Sequence, residues 1–414
     1  MKIIEASNRR AVAELLARGA DVDRVFERRV RGIVDRVRVG GDAALAGFAR
    51  RFDNVAPPLE VTRDEMGRQA AAVPADVRRA LRTAARNIAR VAARQMPQHF
   101  DLSIGPGVSV EQRVEPIASV GCYVPGGRFP LPSSLLMTVV PARIAGVRDI
   151  IVVCPRPEPA VMAAALEAGV SRLFRIGGAH AISALAYGTA TVPRVDKIVG
   201  PGNRYVAVAK AIVAADCAID FYAGPTEIVV VAGAGRPAWI AADLLAQAEH
   251  DPEARSIFIT WSRPLATRVA EAVAARSGEE VAGRAIAAHG AIVLTGSADE
   301  AMTLANRIAP EHLVVDRESL TRRPLTAGAV FVGPFSAQAA GDYAIGSNHV
   351  LPTAGAARFR GGLSAADFVR VMSVQRVTRA GLARLAPTIL PLARAEGLTA
   401  HANSIELRLP RQQP

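Results

Sequence analysis

Four places in this 414-residue chain gather side chains able to do chemistry together. Gln247 and His250 stand three residues apart near the end of an expected helix that Asp251-Pro252 stops, so both look out from one helical face. The end of a helix carries partial negative charge, which favours a cation. Glu311 and His312 are neighbours between an expected helix and an expected strand, and adjacent residues there point in different directions. They suit two roles, a carboxylate that activates water and an imidazole that shuttles protons, a combination that fits two consecutive oxidations. The segment GDYAIGSNHVLPT (341–353) is dense in donors and acceptors, Asp342 and His349 among them. Glu396 and His401 lie far along the C-terminal stretch and add a carboxylate and an imidazole if that tail folds over a site. On spacing alone each place also has a plainer reading: a polar helix end, a surface pair at a turn, a polar loop, solvated tail residues.

Alternating elements must position these groups. Residues 9–50 read as helices, with Val30, Ile33, Val34 and Val37 at helical spacing and Gly40-Gly41-Asp42 as punctuation; 75–96 reads as another. Short apolar runs at 149–153, 172–176 and 197–199 read as strands, followed by helices at 160–168, from 179, and at 203–215. A second set has strands at 228–231, 257–260, 291–294, 313–315 and 329–332, with helices at 238–250, 264–276 and 298–308. This alternation predicts parallel sheets with crossover helices, whose ligands sit at the carboxyl ends of strands beside Gly turns and helix N-termini. Gly355 to Leu363 reads as a linker, and 364–414 as a helical tail ending in a short strand near 405–409.

Composition narrows the class. Half the residues are apolar and 21% are charged, a globular balance, and 5% aromatics is too few for a nucleic-acid stacking surface. The net charge is +12, and of the basic residues only Lys2, Lys197 and Lys210 are lysines. The dense Arg24–Arg51 stretch reads as a solvated helix face, so no nucleic-acid partner is expected. Three cysteines without a CxxC pair argue against a disulfide framework and for a reducing compartment. No signal-like apolar segment opens the chain and none reaches the ~20 residues of a membrane span, so a soluble, cytoplasmic protein without a membrane partner is expected. GxGxxG after a strand, a Walker A loop and a GxSxG elbow are all missing.

The segments GCYVPGG (121–127), PSSLLMTVVPARIAGV (132–147), GGAHAISALAYGT (177–189), DKIVGPGNRYVAVAK (196–210), DFYAGPTEI (220–228), QAEHD (247–251), APEHLVV (309–315), GDYAIGSNHVLPT (341–353) and AEGLTAH (395–401) together resemble histidinol dehydrogenase, nearly end to end. The resemblance implies an α/β fold with two incomplete Rossmann-like, mostly parallel domains and small helical extensions at both termini. The boundaries it suggests are 1–27 for the N-terminal extension, 28–121 with 227–363 for the domain carrying metal and catalytic residues, 122–226 for the NAD-contacting domain, and 364–414 for a tail that completes the partner subunit's site. It implies that Gln247, His250, Asp342 and His401 hold one Zn2+ per subunit, a mixed N/O set without thiolate, and that Glu311 and His312 are catalytic. Thr226, His349 and Glu396 match substrate-binding positions for L-histidinol, with the metal ligands and His312 also facing substrate; Tyr123, His180 and Asn203 match positions that contact NAD. The implied reaction oxidises L-histidinol through L-histidinal to L-histidine in an intertwined homodimer. The chain departs from the family pattern in GGAH for the usual GGAQ at His180, in GPT for GPS at Thr226, and in Arg128-Phe129-Pro130-Leu131 where a Tyr before the Pro is commoner. A dehydrogenase of another alcohol, such as a sulfonated diol, and a non-catalytic metal-binding relative stay open as alternatives.

Overall fold

The computed structural model describes residues 1–17, 23–126, 130–222, 224–278 and 280–409; Gly127, Arg128 and Phe129 of the departing segment lie outside these. Its strands run in chain order β1 (Lys2–Glu5), β2 (Glu60–Val61), β3 (Phe100–Gly105), β4 (Val108–Pro116), β5 (Ser119–Tyr123), β6 (Asp149–Val153), β7 (Arg172–Phe174), β8 (Lys197–Val199), β9 (Ala218–Ile219), β10 (Glu227–Val231), β11 (Arg255–Thr260), β12 (Ala291–Leu294), β13 (His312–Val315), β14 (Ala329–Val332) and β15 (Val369–Val377). They form two six-stranded sheets and one three-stranded sheet. The first large sheet has the order β1-β12-β11-β10-β13-β14, parallel throughout. The second has the order β2-β7-β6-β5-β8-β9, parallel except for β2. Both sheets are covered on two faces, so their central strands are continuous β-branched runs: every residue of β10, EIVVV, is buried. The expected mixed α/β architecture with mostly parallel sheets is what the chain adopts.

Four expectations are corrected. The helices Arg24–Phe48, Arg63–Ala71 and Ala75–Arg94 bury Val30, Val34, Leu81 and Ile88 against the β5–β8 sheet, so residues 28–121 pack chiefly with 122–226, and meet 227–363 through the 344–363 segment, as where Asn87 donates to the Ala344 carbonyl at 2.8 Å. Amphipathic helices carry no label saying which sheet they cover, and only tertiary packing decides it. The N-terminal extension is not purely helical, because β1 adds parallel to β12 at the sheet edge. The tail begins with β15, antiparallel to β4, and 405–409 is not a strand, since the helix Thr399–Glu406 takes its first two residues and a turn follows. The Gly355–Leu363 linker is docked: Leu363 is buried and its N–H donates to the Val350 carbonyl at 2.9 Å.

In each large sheet the strand order reverses once, between β5 and β8 and between β10 and β13. The first reversal is braced by a buried ion pair, Lys210 with Asp220. Lys210 Nζ also donates to the Gly200 carbonyl at 3.0 Å, and Gly200 N–H donates to Asp220 at 2.8 Å. Gly200 has φ +110°, and a Cβ there would run into the Tyr123 carbonyl, so only glycine makes this turn. Removing one member of a buried pair leaves an uncompensated charge. Lys210→Met should therefore destabilise the protein by about 3–5 kcal/mol in urea unfolding; a loss of under about 1 kcal/mol would show that the pair does not hold the turn.

Candidate active site

The β10–β13 pairing is parallel, with Ile228 opposite His312, so the residues that begin these strands share one edge of the sheet. Thr226 and Glu227 enter β10 there; Glu311 and His312 enter β13. The helix Pro237–Ala248 runs back from the far end of β10 and delivers Gln247 to the same edge, with His250 just beyond it. These six residues thus meet because two parallel strands start together and one crossover helix ends beside them.

A hydrogen-bond chain fixes their order. Gln247 Nε2 donates to Thr226 Oγ1. Thr226 donates to Glu311 Oε2 at 2.5 Å, and the Glu227 N–H donates to the same oxygen at 3.0 Å. This turns Gln247 Oε1 away, and that oxygen is buried without a hydrogen-bond partner. Burial pushes the Glu311 carboxyl up to about 7, against the pull of its hydrogen bonds. His312 Nδ1 lies 3.4 Å from the Glu227 carbonyl and 3.8 Å from Glu311 Oε2. Burial lowers His312 to about 4, so the imidazole is neutral at neutral pH.

The helix Gln338–Tyr343 supplies the other wall. Gln338 Nε2 donates to Asp342 Oδ2 at 2.8 Å and lies 3.3 Å from His312 Nε2. His349 Nδ1 is 3.7 Å from Asp342 Oδ1, and burial lowers His349 to about 4. His349 Nε2 reaches Ser134 Oγ at 3.3 Å, and Asn348 donates to the Met137 carbonyl at 2.7 Å, tying this wall to the helix Pro132–Ile144 of the other large unit. Asp342 is raised, chiefly by burial, and His250 is exposed yet close enough for its charge to bear on Glu311, His312, Asp342 and His349.

Thr226, Gln247, His250, Glu311, His312, Asp342 and His349 are therefore brought together, as the sequence reading expects of one site. Glu396 and His401 are not. They are exposed on the hairpin of helices Arg379–Ala395 and Thr399–Glu406, and among the described residues neither bonds to the cluster. Without His401, no three His, Cys, Asp or Glu side chains among the described residues stand ready to hold a metal. The single-chain donors are the orphaned amide oxygen of Gln247, the His250 imidazole and the Asp342 carboxylate. An unpaired buried oxygen next to a carboxylate and an imidazole fits a borderline cation that accepts mixed N/O ligands.

The expected cofactor contacts cluster elsewhere, at the carboxyl edge of the β5–β8 sheet. Tyr123 ends β5, and its hydroxyl accepts from the Gly178 N–H at 3.1 Å. Asn203 caps the helix Arg204–Val213 by accepting from Tyr205 and Val206 N–H; its Nδ2 is an exposed donor with no partner among the described residues, at the positive end of that helix. His180 turns inward. Its Nε2 is 2.8 Å from Asp53 Oδ2, which also accepts from Gly177 N–H at 3.0 Å, and its ring stacks on Phe48. In this chain the His in place of the usual Gln braces the Gly177–Gly178 turn from behind.

Two contributors escaped the sequence reading. Gln338 had a signal, since it stands four before Asp342 on one helix face. Asp53 had none, because 127 residues separate it from His180.

Comparison with known proteins matches residues 16–409 to the family described as histidinol dehydrogenase. The chain is 46% identical to the histidinol dehydrogenase of Geobacter sulfurreducens over 413 aligned positions, covering 96% of both chains. It is 45% identical to that of Methanothermobacter thermautotrophicus, covering 99% of both. The crystal structure of histidinol dehydrogenase from Elizabethkingia anophelis superposes with a TM-score of 0.93 at 32% identity, covering 99% of this chain and 98% of that one.

The buried carboxyl of Glu311 makes a stability prediction. Its value moves from an ordinary 4.5 to about 7 on folding. Between those values the unfolded chain releases the proton and the folded chain keeps it, so stability falls as pH rises through the window. A difference of this size corresponds to about 3 kcal/mol. Glu311→Gln has no proton to lose and keeps an oxygen for Thr226 and Glu227. In metal-free protein, the variant's stability relative to the parent should rise between pH 5 and pH 8 by up to about 3 kcal/mol. Urea unfolding checks it, and the same difference at both pH values would remove the assignment.

Proposed function

The chain belongs to the histidinol dehydrogenase family, whose activity is the oxidation of histidinol in histidine biosynthesis, and we propose that it performs this in two steps, L-histidinol to L-histidinal to L-histidine, with Zn2+ and NAD. The observation that carries the reading is the Gln247–Thr226–Glu311 chain, which leaves one amide oxygen bare beside a carboxyl poised near neutrality. Gln247, His250 and Asp342, with a His401, would hold the metal; Asn203 would meet the nicotinamide cofactor, with Tyr123 and His180 shaping the turns behind it. When bound, Zn2+ holds the substrate's amine and imidazole, and NAD accepts the hydride of each oxidation.

The protein's own groups move the protons. His312 gives its Nδ1–H to the Glu227 carbonyl, which leaves Nε2 as the base for the alcohol proton and later for the hydrate. Glu311 Oε2 is held by Thr226 and Glu227, so Oε1 is the oxygen that takes the proton of the water added to the aldehyde. With its carboxyl near 7, Glu311 is partly ionised at neutral pH, the condition under which a base is both available and effective. His349, anchored to Ser134, and Thr226 would line the substrate.

The tail reading is a homodimer in which a second copy's tail brings His401 and Glu396 to this cluster. Two observations support it. Both residues are exposed and apart from the cluster in their own chain. The three-stranded sheet that leads to them aligns Leu102, Val110, Val114, Val371 and Val377 on one face, with Leu102, Val371 and Val377 exposed. The three buried free cysteines fit a reducing, cytoplasmic setting.

The function is tested with L-histidinol and NAD+. Zn2+-loaded protein should release two NADH per histidine, and chelation should stop it. Glu311→Gln should release the first NADH and stall the second; equal loss of both steps would sink the water-activating role. The tail is tested by mixing inactive His401→Asn and Gln247→Ala proteins through mild denaturation. If tails cross, a mixed dimer holds one intact site and activity returns. Confirmed heterodimers with no activity above the parents would rule crossing out.

A further inference from the structure

The other edge of the same sheet carries a cavity that the reaction does not use. At the carboxyl ends of β10 and β13, where the strand order reverses, a cleft of about 310 Å³ opens between Trp239 and Ile240 of the helix Pro237–Ala248 and the start of the 316–336 segment. This is the position at which open parallel sheets bind ligands, and the volume suits a small molecule. The turn after β10 reads Gly233-Ala234-Gly235-Arg236-Pro237-Ala238, a GxGxxA spacing of the kind that cradles a dinucleotide's phosphates.

Here that cradle is filled from within. Asp316 Oδ2 accepts the Gly233 N–H at 2.8 Å and the Ala234 N–H at 3.3 Å, standing where a phosphate oxygen would stand. A Cβ on Gly233 would strike the Trp261 indole, so the turn is also closed on that side. Asp316 Oδ1 is buried with no hydrogen-bond partner; Arg317 Nε stops 3.7 Å away, its guanidinium over the Trp261 ring. A second carboxyl, Asp243, lines the cavity one helical turn after Trp239 and makes no hydrogen bond or ion pair to any described residue. Burial alone pushes it up to about 6. At pH 7.5 it is ionised at a cost that a cation in the cavity would lower. Trp239 supplies an aromatic wall at its mouth, with Phe335 5.8 Å from it, 88% exposed.

We propose that this cavity binds a small arylalkylamine, its ammonium group held by Asp243 and its ring against Trp239 and Ile240. Arg236 and Arg317 line the cavity as well, Arg317 facing Asp316 and Arg236 lying over the Trp239 ring 4.5 Å from its centroid, so Asp243 is the carboxyl left for a ligand cation; Asp316 already takes the N–H groups a phosphate would need, and Trp239 with Ile240 favours an aryl ring. The cleft is separate from the catalytic cluster, which lies at the opposite ends of the same strands.

The chain's only two tryptophans are Trp239 and Trp261, so intrinsic fluorescence reads this cavity and not the catalytic edge. Titrating the full-length protein at pH 7.5 with 2-phenylethylamine should give a saturable change. 2-Phenylethanol, the neutral isostere, should bind about tenfold more weakly or worse. Asp243→Asn should remove the preference for the amine and leave the alcohol's binding unchanged. Circular dichroism confirms that the variant is folded. Equal binding of amine and alcohol, competition of AMP or inorganic phosphate with the amine, loss of the response in Gln247→Ala, or no saturable change into the millimolar range would each overturn the proposal.

Discussion

Everything chemical in this molecule hangs on the parallel pairing of β10 with β13. Antiparallel neighbours would put the start of one strand beside the end of the other. Parallel neighbours put both starts at one edge, so Thr226-Glu227 and Glu311-His312 arrive side by side although 85 residues separate Thr226 from Glu311. The crossover helix that the parallel connection requires then ends at that same edge and delivers Gln247. The topology therefore places an amide, a hydroxyl, a carboxyl and an imidazole within one hydrogen-bond chain, with rigid strands behind them.

That placement has an electrostatic consequence. Strand starts in a doubly covered sheet are dry, and dryness drives Glu311 upward and His312 downward, each toward its neutral form. A neutral imidazole is a base ready for use, and a carboxyl near 7 exchanges its proton at little cost at neutral pH. Folding itself opposes ionising Glu311, and this is the usual conflict between a stable core and a reactive site. The Thr226 and Glu227 hydrogen bonds moderate the conflict without abolishing it.

The sequence made some of this readable and hid the rest for definite reasons. Gly- and Pro-bounded apolar runs marked β6, β8, β10 and β12 closely, because strands buried on both faces need continuous β-branched residues. β15 was invisible: RVMSVQRV mixes polar and apolar residues on both faces of a largely exposed three-stranded sheet, so it lacks a strand's alternation, and its partner β4 lies more than 250 residues earlier. The covering of the β5–β8 sheet by residues 24–94 was equally hidden, since an amphipathic helix states that it packs and not against what. In the site, Gln247, Glu311 and Asp342 carried their own local signal. Asp53 had no such signal, and its pairing gives His180 a direction that the motif alone did not suggest.

Both sheets share a further device. At each strand-order reversal the glycine turn holds an internal carboxylate: Asp220 accepts from Gly200, and Asp316 accepts from Gly233 and Ala234. Neither turn is left as a bare phosphate cradle, even where the turn after β10 keeps a GxGxxA spacing. What differs is the rim. The β5–β8 edge offers an exposed Asn203 amide at the positive end of a helix, suited to an anionic cofactor. The β10–β13 edge offers Trp239, two arginines held over Trp239 and beside Asp316, and Asp243, which has no partner among the described residues and can take a ligand's cation. Two similar α/β halves can thus be drawn to opposite charges by the few side chains that ring an already occupied turn.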